Sequence, residues 1–80
     1  MNVVTTKIPG VFIIETDTFS DVRGTLIKTF NKDTFSSHGL CTTFEESFYS
    51  KNRKGVVRGM HLQVARAATA KLVYAPVGRI

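Results

Sequence analysis

The residue types best suited to chemistry lie in residues 58–63, which read Arg-Gly-Met-His-Leu-Gln, and at Lys71. A neutral imidazole such as that of His61 can take up a proton near pH 7. The guanidinium of Arg58 can bind phosphate oxygens in pairs, and an ammonium group offsets the charge of a developing oxyanion. These groups suit the removal of a proton beside the carbonyl of a phosphorylated substrate. A strand histidine is also common as a hydrogen-bonded structural residue, so spacing alone leaves both roles open.

The basic residues are concentrated in the same part of the chain. Residues 51–80 contain seven Lys or Arg and no acidic residue, whereas residues 1–50 contain four basic and all six acidic residues. A segment of one sign attracts an anionic partner such as a phosphate or nucleotide, and a solvated basic surface is the alternative. Nucleic-acid binding is not expected, because stacking aromatic residues do not alternate with the basic ones.

The composition predicts one small globular domain over residues 1–80, and the strand pattern, which leaves nothing to close the sheet, indicates that this single domain is truncated. With 42% hydrophobic residues and six Phe, the chain is too apolar for a disordered protein. A chain of this length buries only about 60–65% of its unfolded surface, so its independent stability should be marginal. Cys41 is the only cysteine, which excludes an internal disulfide and suits the reducing cytoplasm. The sequence contains no apolar run of about 18 residues, so contact with a membrane is not expected.

Short β-branched and aromatic segments predict the elements that position these residues. Asn31 is a helix cap, residues 32–38 fill about two turns, and Gly39 ends the helix. The remaining pattern predicts strands at residues 11–14, 25–30, 42–50, 56–63 and 71–77, with turns at 21–24 and 51–55 and a loop at 64–70. The predicted fold class is all-β, an antiparallel β-sandwich or jelly roll that is incomplete, with one short helix near residues 31–38.

Two of these strands carry candidate site residues. In residues 42–50, Phe44, Glu46 and Phe48 share one face, a mixed pattern that suits a sheet lining a polar cavity. In residues 56–63, strict alternation would place Arg58 and His61 on opposite faces. A bulge or kink at Gly59 is therefore predicted, since it could turn both side chains toward one cavity.

Four segments resemble motifs of one enzyme family, in order and spacing. Residues 58–63 resemble the Arg-Gly-Leu/Met-His-aromatic-Gln signature of the dTDP-4-dehydrorhamnose 3,5-epimerase family, and residues 71–74 resemble its Lys-Leu-Val segment. Residues 19–24, Phe-Ser-Asp-Val-Arg-Gly, resemble the family's Phe-x-Asp-x-Arg-Gly turn. Residues 48–57 resemble the approach to the signature. The matches extend over essentially all 80 residues, but less than half of a typical member.

The resemblance implies a cupin jelly roll without cofactor that forms a homodimer at full length and acts on a small-molecule dTDP-4-keto-6-deoxy sugar. It implies that His61 is the general base and that Lys71 steadies the enolate. Arg23 and Arg58 correspond to substrate-binding arginines, and Glu46 and Phe48 lie in the segment that contacts base and sugar. Metal is not expected, because residue 63 is Gln where metal-binding cupins carry a second His, and His38 lies at a helix end.

Several positions depart from the family pattern. Lys28 stands where members commonly carry a substrate-binding Glu, and residues 46–49 read Glu-Ser-Phe-Tyr in place of a Gln-Asp-Asn-His type of segment. Residues 64–70 lack the usual Pro-Pro-His character, and the family's tyrosine proton donor and the aspartate that orients the catalytic histidine lie beyond residue 80. Two alternatives therefore stand beside the epimerase: an epimerase of single-position specificity, and an inactive or partner-dependent fragment that at most binds a nucleotide diphosphate.

Overall fold

A computed structural model describes residues 1–64, 66 and 68–80. The chain forms two compact units, Met1–Thr42 and Thr43–Ile80. All the strands and the helix assigned to the described residues lie in the first unit. They are β1 (Asn2–Thr5), β2 (Phe12–Glu15), β3 (Thr18–Asp21), β4 (Gly24–Ile27) and α1 (Lys32–Ser37).

Strands β1 and β2 form an antiparallel pair. Asn2 lies opposite Glu15 and Thr5 opposite Phe12, so β-branched residues fill the middle of both strands. The Asn2 side-chain amide donates to Glu15 Oε2 at 3.1 Å. The hydroxyl of Thr6 accepts from the Ile8 N–H at 3.1 Å and lies 2.9 Å from the Val11 carbonyl, which holds the connection between the strands closed.

Strands β3 and β4 form a hairpin with Val22 and Arg23 as its two-residue turn. Asp21 lies opposite Gly24, and Ser20 lies opposite Thr25 with their hydroxyl oxygens 3.2 Å apart. Gly24 has a φ of 124°, a value that side chains rarely adopt, which explains a glycine at this corner. The turn predicted at residues 21–24 is confirmed, and it places Arg23 at the tip of the hairpin.

Helix α1 agrees with its sequence prediction at both ends. Asn31 Oδ1 accepts from the Thr34 N–H at 2.9 Å and from the Thr34 hydroxyl at 3.0 Å. Gly39 has a φ of 68°, and the Leu40 N–H donates to the Phe35 carbonyl at 2.9 Å, closing the C-terminal end. Phe35 is the only buried hydrophobic residue among the described ones, at 2% exposure, and its ring packs edge-on against Phe30 at 4.7 Å.

Replacing Asn31 by Ala should destabilise α1 by about 1 kcal/mol, because the Thr34 N–H would lose its acceptor. The amides of Phe35 and His38 should then exchange with solvent about fivefold faster, as measured by NMR. Asn31→Ser is the matched control, since serine retains a capping oxygen and should restore most of the protection. Unchanged protection in Asn31→Ala would show that this cap contributes nothing to the helix.

Three predicted strands, at residues 42–50, 56–63 and 71–77, are wrong, because the described part of Thr43–Ile80 contains no strand. A strand requires a hydrogen-bonded neighbour, and a β-branched pattern supplies no neighbour by itself. The predicted strand at 25–30 ends earlier, at Ile27, while β1 and β3 were not predicted. The turn at 51–55 is confirmed by the bond from the Val56 N–H to the Arg53 carbonyl. In the predicted loop 64–70, Ala65 and Ala67 lie outside the described residues.

The fold class is confirmed. The described residues form antiparallel strand pairs with one short helix and no closed barrel, as expected of an incomplete all-β, cupin-like fold. Many large apolar side chains are exposed, including Phe19 and Leu26 of the β3–β4 hairpin. The first unit is therefore held mainly by strand pairing and by the contact between Phe30 and Phe35.

Candidate functional site

Arg23 is the one candidate residue in the first unit, and Asp21 binds it. The Asp21 carboxylate accepts from the Arg23 backbone N–H at 2.8 Å, from Nε at 3.1 and 3.2 Å, and from Nη2. The side-chain hydrogen bond from Arg23, followed by the backbone one, lowers the pKa of Asp21, and the same side-chain bond raises the pKa of Arg23. Both groups are exposed, so the pair orders the turn and adds little to stability.

An open groove of about 460 Å³ runs beside this hairpin. Its lining residues come from both strands and the turn: Phe19, Ser20, Asp21, Arg23, Gly24, Thr25 and Leu26. The groove combines a guanidinium, two hydroxyl side chains and an apolar wall. A guanidinium and hydroxyls are suitable donors to phosphate oxygens.

The other five candidates belong to the second unit, where all of them are exposed: Glu46, Phe48, Arg58, His61 and Lys71. Phe48 is 83% exposed, so it lines no closed cavity in this unit. Within the described part of the second unit, no hydrogen bond or ion pair joins these five side chains. Their roles as base, enolate-stabilising cation and substrate contacts therefore stay predictions.

Gly59 has an unusual backbone conformation in a segment that forms no strand. This residue has a φ of 141°, where a side chain is strained, and nothing lies within 4 Å of the position that a Cβ would occupy. Because residues 56–63 form no strand, strand alternation does not apply to them and the bulge predicted at Gly59 is not tested. A shared cavity for Arg58 and His61 remains a prediction.

A side-chain bond spans the segment between the signature and Lys71. The Thr69 hydroxyl donates to Gln63 Oε1 at 2.7 Å, which links the end of residues 58–63 to a point two residues before Lys71. Thr69 was not predicted as a site residue, and Asp21 was recognised only as part of the motif at residues 19–24, without a role of its own. The signal for Asp21 was available, since an Asp two residues before an N–H donor is typical of a side-chain-capped turn.

A metal-binding cluster and a membrane-spanning helix are both absent from the described residues. No group of three or more His, Cys, Asp or Glu side chains there is arranged as metal ligands would be. None of the helices found in that part of the chain is long and apolar enough to cross a membrane.

Several known proteins are similar to this chain in sequence. The sequence profile of the dTDP-4-dehydrorhamnose 3,5-epimerase family matches residues 5–80. Enzymes of that name from Shigella flexneri and Salmonella typhimurium are 41% and 40% identical over the whole of this chain, which covers 45% and 44% of their lengths. The one from Methanothermobacter thermautotrophicus is 37% identical over 75% of this chain and 32% of its own length. The chain spans less than half the length of these curated relatives. No solved structure matches it significantly.

Proposed function

Because the chain belongs to the dTDP-4-dehydrorhamnose 3,5-epimerase family, we propose that the protein epimerises a dTDP-linked 4-keto-6-deoxy sugar. The observation that carries this proposal is the family match over residues 5–80, which includes the signature with Arg58 and His61, and Lys71. The turn that carries Arg23 lies within the same match.

The chemistry proceeds by proton removal beside the keto group. A carbonyl acidifies the neighbouring C–H, and His61 takes that proton while the electron pair moves onto the carbonyl oxygen as an enolate. The ammonium of Lys71 offsets the charge on that oxygen. Return of a proton to the opposite face of the carbon restores the ketone and inverts the centre. The resemblance assigns this return to a tyrosine beyond residue 80.

The remaining candidates bind the nucleotide and the sugar. Arg23 and Arg58 hold the diphosphate, because a guanidinium matches phosphate oxygens in pairs. Glu46 and Phe48 contact the base or the sugar. Lys28 replaces a commonly acidic residue, so the contact at that position differs in charge. The proposal includes a homodimer that works in the cytoplasm, where the single thiol of Cys41 stays reduced.

Solvent deuterium incorporation tests the reaction directly. The protein is incubated in D₂O with dTDP-4-keto-6-deoxyglucose, and the sugar is followed by proton NMR. Loss of the signals beside the keto group is expected, since a proton removed by His61 exchanges before it returns. If the sugar signals stayed unchanged in the presence of the folded protein, the proposed reaction would be contradicted.

Lys71→Gln should slow this exchange by about 10²-fold or more, because the enolate oxygen would lose its cation. Affinity for dTDP should stay unchanged, since the lysine acts on the sugar and not on the nucleotide. Lys51→Gln, which removes the same charge from an exposed turn residue, is the matched control and should exchange at the wild-type rate. An equal loss in both variants would show that Lys71 contributes only to the general positive field.

A second candidate function is nucleotide-diphosphate binding without catalysis. It is favoured by the exposure of His61 and Lys71, which differs from the water-excluded surroundings that strengthen charge stabilisation. Deuterium incorporation into the sugar and affinity for dTDP together distinguish the epimerase from the binding function. Binding of dTDP without any deuterium incorporation would favour the binding function.

A further inference from the structure

In the β3–β4 hairpin, an acidic and a basic side chain of the same turn are hydrogen-bonded to each other. The strand register places Asp21 opposite Gly24, with Arg23 in the two-residue turn between them. The Asp21 carboxylate accepts from the backbone N–H of Arg23 at 2.8 Å as well as from its guanidinium. The arginine is thus held both at its backbone and at the end of its side chain.

The carboxylate occupies one edge of the guanidinium. A guanidinium carries five N–H bonds in a planar fork. Asp21 takes the Nε–H and one N–H of Nη2, which together form the edge nearest the side-chain stem. The two N–H bonds of Nη1 and the second on Nη2 have no acceptor among the described residues. One N–H from each terminal nitrogen therefore forms a second pair, suited to two oxygens of one phosphate.

We propose that Asp21 is a positioning residue that holds Arg23 by the Nε–Nη2 edge of its guanidinium and leaves the adjacent Nη1–Nη2 edge for the diphosphate of the substrate. The inference rests on the proposed function, in which Arg23 binds that diphosphate. The Arg23 side chain is 87% accessible even with Asp21 bound to it. Without Asp21, no other hydrogen bond or ion pair among the described residues would restrict its rotamers. Asp21 also lines the groove beside the hairpin together with Arg23.

Two opposing effects follow from removing this carboxylate. Ordering a long side chain before binding is worth about a 2- to 12-fold gain in affinity, which the loss of Asp21 would forfeit. Removing a negative charge would instead strengthen the attraction of the groove for an anion. Salt helps to separate the two, because it screens the longer-range attraction of the groove more strongly than it weakens hydrogen bonds made at contact distance, such as those between Asp21 and Arg23. Since Arg23 lowers its pKa, Asp21 stays ionised at neutral pH.

The experiment measures the affinity for dTDP at about 0.5 M salt, where the screening length is well below the roughly 10 Å found at 0.1 M. Asp21→Asn should bind about 3- to 10-fold more weakly than the wild type. Asparagine keeps an oxygen for the Arg23 backbone N–H, so the turn is retained. Arg23→Lys should also bind more weakly, and adding Asp21→Asn to it should cause no further loss, because lysine has no second edge to position.

Glu15→Gln is the matched control. It removes the same charge from the first unit, and its partner there, the Asn2 amide, keeps an oxygen acceptor. Affinity for dTDP should be unchanged in this variant. A second readout is the ¹⁵N–¹H signal of the Arg23 Nε–H. This signal should exchange slowly with water in the wild type and collapse into the average arginine position in Asp21→Asn.

The outcomes distinguish this inference from the proposed function. Wild-type affinity in Asp21→Asn, with weaker binding by Arg23→Lys, would overturn the positioning role and leave the proposed function intact. Unchanged affinity for dTDP in both variants would overturn the role of Arg23 as well. Deuterium incorporation into the sugar would still test the proposed reaction. No dTDP binding by the wild-type chain would count against both.

Discussion

His61→Asn is expected to abolish deuterium incorporation beside the keto group of dTDP-4-keto-6-deoxyglucose, with a loss of about 10²- to 10⁴-fold in rate. An asparagine amide resembles imidazole in size and polarity but cannot take up a proton at neutral pH. The variant should therefore lose the proton transfer while keeping a polar group at an exposed position. The exchange rate is measured by NMR on the substrate, with wild type and variant at equal concentration.

His38→Asn is the matched control for this loss. It makes the same substitution at the chain's other histidine, which caps the C-terminal end of α1 and whose Nδ1 lies 2.8 Å from the Thr34 carbonyl. Asparagine is tolerated at helix ends, so exchange should continue at the wild-type rate. Equal exchange by wild type and His61→Asn would exclude His61 as the base. Retained dTDP affinity in His61→Asn would show that only the chemical step was lost.

Phe35→Ala is expected to unfold α1 and the segment around it. Truncating a buried phenylalanine costs about 3–5 kcal/mol, a large share of the total stability of any small domain. Here the loss is larger in proportion, because Phe35 is the only buried hydrophobic residue among those described. Its removal also takes away the edge-on contact with the ring of Phe30. The measurement is the dispersion of amide NMR signals from residues 30–40, which should collapse.

Phe48→Ala removes the same side chain from a position that is 83% exposed. Surface substitutions of this kind usually change stability by less than about 0.5 kcal/mol, so the amide signals should keep their dispersion. Phe35→Leu, which retains most of the apolar volume, should be intermediate. If Phe35→Ala kept a dispersed spectrum, the contact with Phe30 would not be what holds α1 in place.

The parts of the fold that local chemistry determines were predictable from the sequence. Asn31 and Gly39 define the two ends of α1 because a capping oxygen and a left-handed glycine act over three or four residues. The turn before Gly24 was predictable for the same reason. Strands depend on a partner, so the apolar pattern at residues 56–63 and 71–77 led to strands that the structure does not have, and the polar strand β3 was overlooked.

The residues of the candidate site also differ in how far the sequence predicts them. The family resemblance identified Arg23, and in the structure it lines a groove and its guanidinium is hydrogen-bonded to Asp21. The motif with Arg23 also contains Asp21 but gives it no role, because a carboxylate that acts through Arg23 cannot be told from a turn residue without the contact between them. For Glu46, Arg58, His61 and Lys71, no contact among the described residues provides a test. Bringing these residues together in one site would require pairing between segments far apart in the chain, and that register is hard to predict from a single sequence.

The short span of the strand pairings has a consequence for synthesis on the ribosome. In the first unit, β1 pairs with residues no farther along than Glu15, and β3 pairs with β4 across a two-residue turn. Pairings between near neighbours in the chain form quickly, because little loop entropy is lost. Residues 1–42 leave the exit tunnel before residues 43–80 have done so. The hairpin that carries Arg23 and Asp21 can thus assemble during translation, ahead of the segment that carries His61.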